Sequence, residues 1–140
     1  MPDDPVVRPA VLGTVAFAVV SVFGMTGGDG VAPFVIVFDV VLLALGILAF
    51  VRTLLVAAER SRTEELSVAG IWFLTGAPTP IRLWLLGALA LQVVIGFAAG
   101  AVDPEPGAFG VLVPVFGLGL CGLWAVRSGS FPPRRSGRAD

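Results

Sequence analysis

The sequence predicts an all-α membrane protein with four transmembrane helices in an up-down bundle and both termini in the cytoplasm. Of its 140 residues, 56% are hydrophobic, whereas soluble domains usually contain about 45–50% apolar residues. Four apolar runs, at residues 9–25, 31–51, 83–101 and 107–126, approach the roughly 20 residues that a transmembrane helix needs. The basic residues, finally, are confined to one side of these runs.

The side on which the arginines lie predicts the orientation. All nine basic residues are arginines, and they lie in the N-terminal segment, around the loop between the second and third runs, or near the C-terminus. The other two connections, residues 26–30 and 102–106, carry the acidic residues Asp29, Asp103 and Glu105. Because positively charged loops remain in the cytoplasm, we expect a multi-pass protein of the plasma or inner membrane with cytoplasmic termini.

The composition also excludes several kinds of site. The chain has no histidine and a single cysteine, Cys121, which excludes histidine-ligated haem, most zinc and copper sites and a CxxC redox pair. No nucleophile–base pair, phosphate-binding loop or nucleic-acid surface is recognisable. We therefore expect no cofactor, no catalytic residues, no nucleic-acid partner and no enzymatic activity.

The first two helices are predicted over residues 9–26 and 31–58, joined by a short glycine-rich turn as an antiparallel hairpin. Pro9 suits a first helical turn. The N-terminal residues have no cluster of positive charge and no signal-peptidase site follows, so we expect the first helix to remain as an anchor. The second helix carries Asp39 inside its apolar run and continues past Arg52, whose side chain we expect to reach the headgroups.

The loop at residues 62–76 is predicted to lie at the cytoplasmic membrane surface. Residues 61–64, SRTE, fit a capping box, and the apolar stretch that follows is too short to span a bilayer. One interpretation is an interfacial anchor carrying a tryptophan. The other is a surface on which a partner protein docks, made by Ile71, Trp72, Phe73 and Leu74.

The third helix is predicted over residues 82–101, with Gln92 near its centre, and the fourth over 107–127, with Pro114 inside it. We expect residues 1–130 to form one transmembrane domain. The remaining residues, 131–140, form a basic tail whose composition is typical of disordered segments.

Small and polar residues recur at three-to-four spacing on every helix. Such stripes mark the faces that pack on other helices, because lipid is as apolar as leucine and gives large apolar side chains no reason to turn inward. The four stripes predict that all four helices surround a common interior. They are Thr14, Ala18, Ser21 and Met25; Ala32, Asp39, Gly46 and Thr53; Ala88, Gln92, Gly96 and Ala99; and Gly110, Pro114, Gly117 and Cys121.

A candidate polar site lies in the outer half of this interior. At about 1.5 Å per residue, Asp39 is roughly 12 Å and Gln92 roughly 14 Å below the external surface. Ser21 lies at a somewhat shallower depth. Pro114, as a proline inside a helix, is expected to free the carbonyl of Gly110.

Three interpretations of Asp39 remain open at this point. In the first, Asp39 binds or relays a proton or cation, with Gln92 as its neighbour. In the second, a protonated Asp39 hydrogen-bonds to Gln92 or Ser21 and holds helices together. In the third, the second helix begins near Phe38 and leaves Asp39 at the wet external end.

Three segments carry a resemblance to known proteins: FDVVLLALGILAFVRTLLVAAERSR at residues 38–62, WFLTGAPTPIRLWLLGALALQ at 72–92 and VLVPVFGLGLCGLWAVRSGSFPPR at 111–134. Over residues 38–133 the chain resembles a group of small, uncharacterised membrane proteins of actinobacteria. The resemblance implies an inner-membrane location and no known activity.

Two functions follow from these patterns. The leading expectation is a non-enzymatic accessory or assembly subunit of a larger membrane complex, or a homo-oligomer, packed through the small-residue faces. The alternative is a small proton- or cation-coupled transporter that uses Asp39 with Gln92. The lipid bilayer is the surrounding partner in both.

Overall fold

The computed structural model describes residues 2–135. Within this range the regular structure is helical, apart from one isolated antiparallel β-bridge between Glu64 and Pro133. A single 3₁₀ turn, Asp29–Val31, precedes the second helix. The helices are α1 (Val7–Thr26), α2 (Ala32–Arg60), α3 (Val68–Trp72), α4 (Thr79–Val102), α5 (Pro104–Gly110) and α6 (Pro114–Ser128).

Four helical stretches are long and apolar enough to cross a membrane, which confirms that part of the prediction. They are Val7–Thr26, Asp29–Arg60, Thr79–Val102 and Pro104–Ser128. The third begins three residues earlier than predicted because Pro80 lies in its first turn, where the missing N–H of proline costs no hydrogen bond.

The fourth span consists of two helices instead of the single helix predicted over residues 107–127. α5 begins at Pro104, inside the acidic turn, and α6 begins at Pro114 after an interruption at residues 111–113. Proline cannot donate to the carbonyl four residues before it. The N–H of Val113 donates to the carbonyl of Gly110 instead, at 3.2 Å. The Gly110 carbonyl that was expected to be free is therefore occupied.

This interrupted span lies at the centre of the molecule. Of its apolar segment 61% is buried, against 28% in each of the other three spans. α2 packs along α6, whereas α4 packs on both α1 and α5. Because irregular backbone is tolerated at membrane depth where protein surrounds it, the break falls in the span that the others enclose.

Glycines allow the backbones of the central helices to touch. A Cβ at Gly96 of α4 would lie 2.5 Å from the carbonyl oxygen of Gly110, and a Cβ at Gly46 of α2 would lie 2.5 Å from the backbone nitrogen of Phe116. Gly100 likewise faces Gly107. The small-residue stripes of α2 and α4 are thus used in contacts within this chain.

The C-terminal residues 131–135, predicted as part of a disordered tail, fold back on the loop after α2. The N–H of Glu65 donates to the carbonyl of Pro132 at 2.8 Å, and that of Arg134 to the carbonyl of Thr63 at 2.9 Å. Composition alone missed this pairing because its partners, Thr63 and Glu65, lie about 70 residues away in the chain. The rest of the predicted tail, including Arg138, lies outside the described residues.

Arg60 holds this corner together. Its Nη1 donates to the carbonyls of Val126 at 2.8 Å and Gly129 at 3.0 Å, and its Nε donates to Glu64 at 2.7 Å. Its guanidinium carbon lies 5.1 Å from the centre of the Phe131 ring. The side chain therefore caps the last turn of α6, where cations are favoured, and fixes the segment that follows.

Candidate functional site

Asp39 is buried in α2 without a partner for one of its oxygens. The helix begins seven residues earlier, at Ala32, and Asp39 is only 2% exposed. The interpretation that starts the helix near Phe38 therefore does not hold. Among the described residues, no donor hydrogen-bonds to the buried Oδ1. Leaving a buried acceptor unsatisfied costs about 1–3 kcal/mol, and more if it is charged.

A small cavity, which we call the inner cavity, lies beside this carboxylate. Its volume is about 10 Å³, which is close to the smallest space that holds one water molecule. Besides Asp39, its lining includes two residues with an oxygen atom in the side chain, Ser21 of α1 and Asp103, which follows α4. The lining residues are Ser21, Gly24, Met25, Val35, Asp39, Ala99, Asp103, Pro106 and Gly107.

A larger acidic cavity adjoins the inner one at the end of the molecule that carries no arginine. This acidic vestibule has a volume of about 450 Å³. It shares Gly24, Asp103 and Pro106 with the inner cavity, so Asp103 stands where the two meet. The lining residues are Gly24, Gly28, Asp29, Ala32, Asp103, Pro104, Glu105 and Pro106.

Gln92, the predicted neighbour of Asp39, has other partners. It is fully buried, its Nε2 donates to Oγ1 of Thr14 at 2.7 Å, and its Oε1 accepts from the N–H of Gly117 at 3.1 Å. Gly117 lies in the first turn of α6, whose N–H groups need partners from outside the helix. Thr14 in turn donates to the carbonyl of Ala10 at 2.7 Å. We call this set the Gln92 layer; it ties α1, α4 and α6 together.

The structure thus brings only part of the predicted polar site together. Ser21 and Asp39 line one cavity, whereas Gln92 bonds elsewhere and Pro114 begins α6. The residue of the fourth span that lies next to Asp39 is Gly110: a Cβ there would be 3.6 Å from Oδ2. From the sequence alone, Asp103 was one of the acidic residues in the connection between the third and fourth spans and no candidate for the site. The signal that could have found it is its position opposite Asp29, at the end where Asp39 is closest to the surface.

Apolar side chains fill the interior on the other side of Asp39. Phe17 is fully buried, and its ring would lie 3.5 Å from a Cβ at Gly110. Leu42 and Phe116 are each 6% exposed and belong to the same core. The carboxylate is therefore close to the acidic vestibule and separated from the arginine-bearing end by these side chains and the Gln92 layer.

The predicted docking segment faces inward for the most part. Trp72 stacks on Phe50, with ring centres 4.9 Å apart and planes 13° apart, and contacts Gly122. Leu74 is fully buried and Ile71 packs against the core. Of the four residues only Phe73 is exposed, at 60%.

An apolar groove lies on the surface between α1 and α4. This α1–α4 groove has a volume of about 350 Å³. A Cβ added at Gly87 in its floor would meet no atom within 4 Å. The lining residues are Val11, Thr14, Val15, Leu83, Trp84, Gly87, Ala88 and Leu91.

Over residues 2–135, no group of three or more His, Cys, Asp or Glu side chains is arranged to hold a metal ion. The chain matches no protein-family model, no curated protein and no solved structure. The site is therefore interpreted from its own geometry.

Proposed function

We propose that this chain is a small, non-enzymatic carrier of the inner membrane whose transport is coupled to a proton or another cation bound at Asp39. The observation that carries the proposal is the unpartnered Oδ1 of Asp39, buried beside a cavity in the apolar interior. An ionisable side chain in the middle of a membrane helix costs about 2.5–3.5 kcal/mol on insertion scales, and those that occur usually serve ions or protons.

The interrupted fourth span supports the same function. Discontinuous helices commonly form the ion and substrate sites of secondary transporters. Gly110, the last residue of α5, lies next to Oδ2 of Asp39. The break and the carboxylate are thus side by side.

The orientation is part of the proposal. In our proposed arrangement the four spans alternate in direction as an up-down bundle, and both termini and the loop after α2 lie in the cytoplasm. The support is the distribution of the nine arginines and their preference for cytoplasmic loops. The acidic vestibule then opens to the outside of the cell. The resemblance to small actinobacterial membrane proteins supports only the inner-membrane location.

The test is cation uptake into proteoliposomes that contain the purified full-length protein. Proton influx is followed with an entrapped pH-sensitive dye, and sodium and potassium influx with isotopes. We expect a cation flux above that of protein-free vesicles. We also expect Asp39→Asn to abolish it, because asparagine keeps the shape of the side chain but cannot exchange a proton or carry a negative charge.

Asp3→Asn is the matched control, because the carboxylate of Asp3 lies before α1 and its side chain is 90% exposed. It should leave the flux unchanged. Equal flux in the wild type, in Asp39→Asn and in protein-free vesicles would overturn the proposal.

A second candidate, the accessory subunit or homo-oligomer, is favoured by the α1–α4 groove. Transmembrane helices associate where small residues let backbones approach, and Gly87 has open space above it. The glycines of α2 and α4 that face α5 and α6 are already in contact within the chain. If the protein is a subunit, a helix of a partner or of a second copy would therefore lie in this groove.

Purification in mild detergent followed by mass spectrometry tests this second candidate. A subunit should bring a stoichiometric partner with it or form a defined homo-oligomer, and Gly87→Leu should remove either by filling the groove. A matched substitution, Phe73→Ser, examines the one exposed residue of the predicted docking segment. A monomer without partners would remove the subunit function.

A further inference from the structure

We propose that the ligand of Asp39 is a proton and that it arrives through the acidic vestibule by way of Asp103. The inference rests on the proposed function, since it names the ion and the route for the same site. Of the proton and the other cations that the proposed function allows, it selects the proton, and it places the route at the end of the molecule that carries no arginine.

The size and lining of the inner cavity favour a proton over a metal cation. A volume of about 10 Å³ holds about one water molecule. Among the residues that line it, only Ser21, Asp39 and Asp103 carry an oxygen atom in the side chain. Hard metal cations need more ligands, about six for Mg²⁺ and six to eight for Ca²⁺. A proton needs a single acceptor, and Oδ1 of Asp39 is an acceptor with no donor among the described residues.

The charges around the two cavities favour access from the acidic end. Asp103 lines both cavities, while Asp29 and Glu105 line the vestibule. Asp29 and Glu105 are exposed to solvent. A cleft lined by charges of one sign concentrates ions of the opposite sign, so protons and other cations are enriched at the mouth of the route.

Asp103, which follows α4, is the one other titratable residue in the lining of the inner cavity. The further lining residues are uncharged, among them Ser21 of α1, Ala99 of α4 and Gly107 of α5. Toward the arginine-bearing end stand the uncharged Phe17, Phe116 and the Gln92 layer. In this conformation the carboxylate exchanges protons with the vestibule side.

The step itself is a simple proton transfer. A hydronium ion in the inner cavity gives one proton to Oδ1 of Asp39 and is left as water, while the carboxylate becomes a neutral carboxylic acid. Neutralisation removes most of the cost of the buried charge, so the protonated state suits this apolar site. Release is the reverse transfer.

The identity of the ion is tested with dicyclohexylcarbodiimide, an apolar reagent that reacts with protonated carboxyl groups. The full-length protein in detergent is labelled at a series of pH values in sodium, potassium or choline chloride, and labelled peptides are identified by mass spectrometry. We expect the label on Asp39, with a yield that rises as the pH falls and is the same in the three salts. Asp39→Asn should lose this label.

Suppression of the label by sodium or potassium would show that a metal cation occupies the site. That outcome overturns the proton inference and leaves the proposed function standing. An Asp39 that stays unlabelled at every pH while the flux assay still depends on it would also overturn the inference. Absence of both the label and the flux counts against the function as well.

The route is tested by placing a larger side chain at position 103, where the inner cavity and the acidic vestibule meet. In Asp103→Phe we expect the initial rate of proton influx in the proteoliposome assay to fall by at least about tenfold, because the buried acid gains its proton only from water within hydrogen-bonding distance. Asp3→Phe is the matched control, since the Asp3 side chain is 90% exposed and lines neither cavity, and its influx should proceed at the wild-type rate. If Asp103→Phe is not monodisperse, Asp103→Leu takes its place. Equal rates in Asp103→Phe and the wild type would overturn this route.

Discussion

Gln92 and Asp39 are both polar side chains buried in apolar helices, yet their surroundings are opposite. The amide of Gln92 donates to Thr14 and accepts from Gly117, and apolar residues close the space around it. The carboxylate of Asp39 leaves Oδ1 without a donor and lies beside a cavity. One region of the interior is matched and closed, and the other is unmatched and open toward the acidic vestibule.

The difference separates packing from ligand binding. A polar side chain that holds helices together is valuable only when its partners satisfy it, because an unsatisfied buried group costs about 1–3 kcal/mol. Gln92 meets this condition and also caps the first turn of α6. Asp39 fails it, so its presence is better explained by a ligand than by helix association. Four predictions test this contrast between Gln92 and Asp39, in order of decreasing change in stability.

The first prediction concerns the close contact of Gly96 with α5, which positions Gly110 beside Asp39. A Cβ at Gly96 would lie 2.5 Å from the carbonyl oxygen and 3.0 Å from the carbonyl carbon of Gly110. These backbone atoms cannot rotate away, so we expect Gly96→Val to cost about 3 kcal/mol or more. The loss appears as aggregation on size-exclusion chromatography or as a lower melting temperature in detergent.

Gly87→Val is the control on the same helix, because a Cβ at Gly87 would meet nothing within 4 Å. It should remain monodisperse with a melting temperature near that of the wild type. Equal losses in the two variants would show that the contact between α4 and α5 is not what makes Gly96 necessary.

The second prediction concerns Asp39 itself. Leucine has the same branching pattern as aspartate, so Asp39→Leu removes the unpartnered Oδ1 without a large change of shape. We expect the free energy of unfolding to rise by about 1–3 kcal/mol, since an unpaired buried polar group is replaced by an apolar one. Cation flux and carbodiimide labelling should be lost at the same time. A variant that is less stable than the wild type would mean that Asp39 contributes to packing.

The third prediction is a change of opposite sign at Gln92. Gln92→Leu leaves the N–H of Gly117 without its acceptor and removes the link between α1 and α6 through Thr14. Interhelical hydrogen bonds in membranes are worth about 0.6–2 kcal/mol, so we expect a loss of about 1–2 kcal/mol, measured by thermal unfolding in detergent. Proton binding at Asp39 should survive. If the labelling of Asp39 disappears as well, the two regions are coupled and the contrast fails.

The sequence was sufficient to predict the four spans and to single out Asp39, which the structure buries. Long apolar runs have few alternatives to membrane helices, and a single carboxylate inside such a run stands out by its insertion cost. Thr14, Ser21, Thr53 and Gln92 are buried, which agrees with the predicted stripes of small and polar residues.

The pairing of these groups could not be predicted from depth. Asp39 and Gln92 have similar predicted depths, yet Gln92 donates to Thr14 and accepts from Gly117, because depth does not specify which helix faces meet. The start of α5 was missed because Pro104 and Pro106 suggest a turn, although prolines are also favoured in the first turn of a helix. The folded C-terminal segment has its partners in the loop after α2 and in Arg60, about 70 residues away in the chain.

The fourth prediction concerns the arginine-bearing end, where the polar side chain of Arg60, like that of Gln92, has hydrogen-bond partners. Arg60 donates to Glu64, Val126 and Gly129. Because part of its side chain is open to solvent, we discount the ion pair and expect Arg60→Ala to cost about 1 kcal/mol locally. This corresponds to about fivefold faster hydrogen exchange at the N–H groups of Glu65 and Arg134.

Arg62→Ala is the matched control, because it removes one arginine from the same loop at an exposed position and so changes the orientation signal equally. Its exchange rates at Glu65 and Arg134 should match the wild type. If both variants speed exchange alike, net charge in the loop, and not the capping of α6 by Arg60, holds the C-terminal segment. If neither variant speeds exchange, the β-bridge between Glu64 and Pro133 is stable without Arg60. The C-terminal segment is then held by contacts beyond those of the Arg60 side chain.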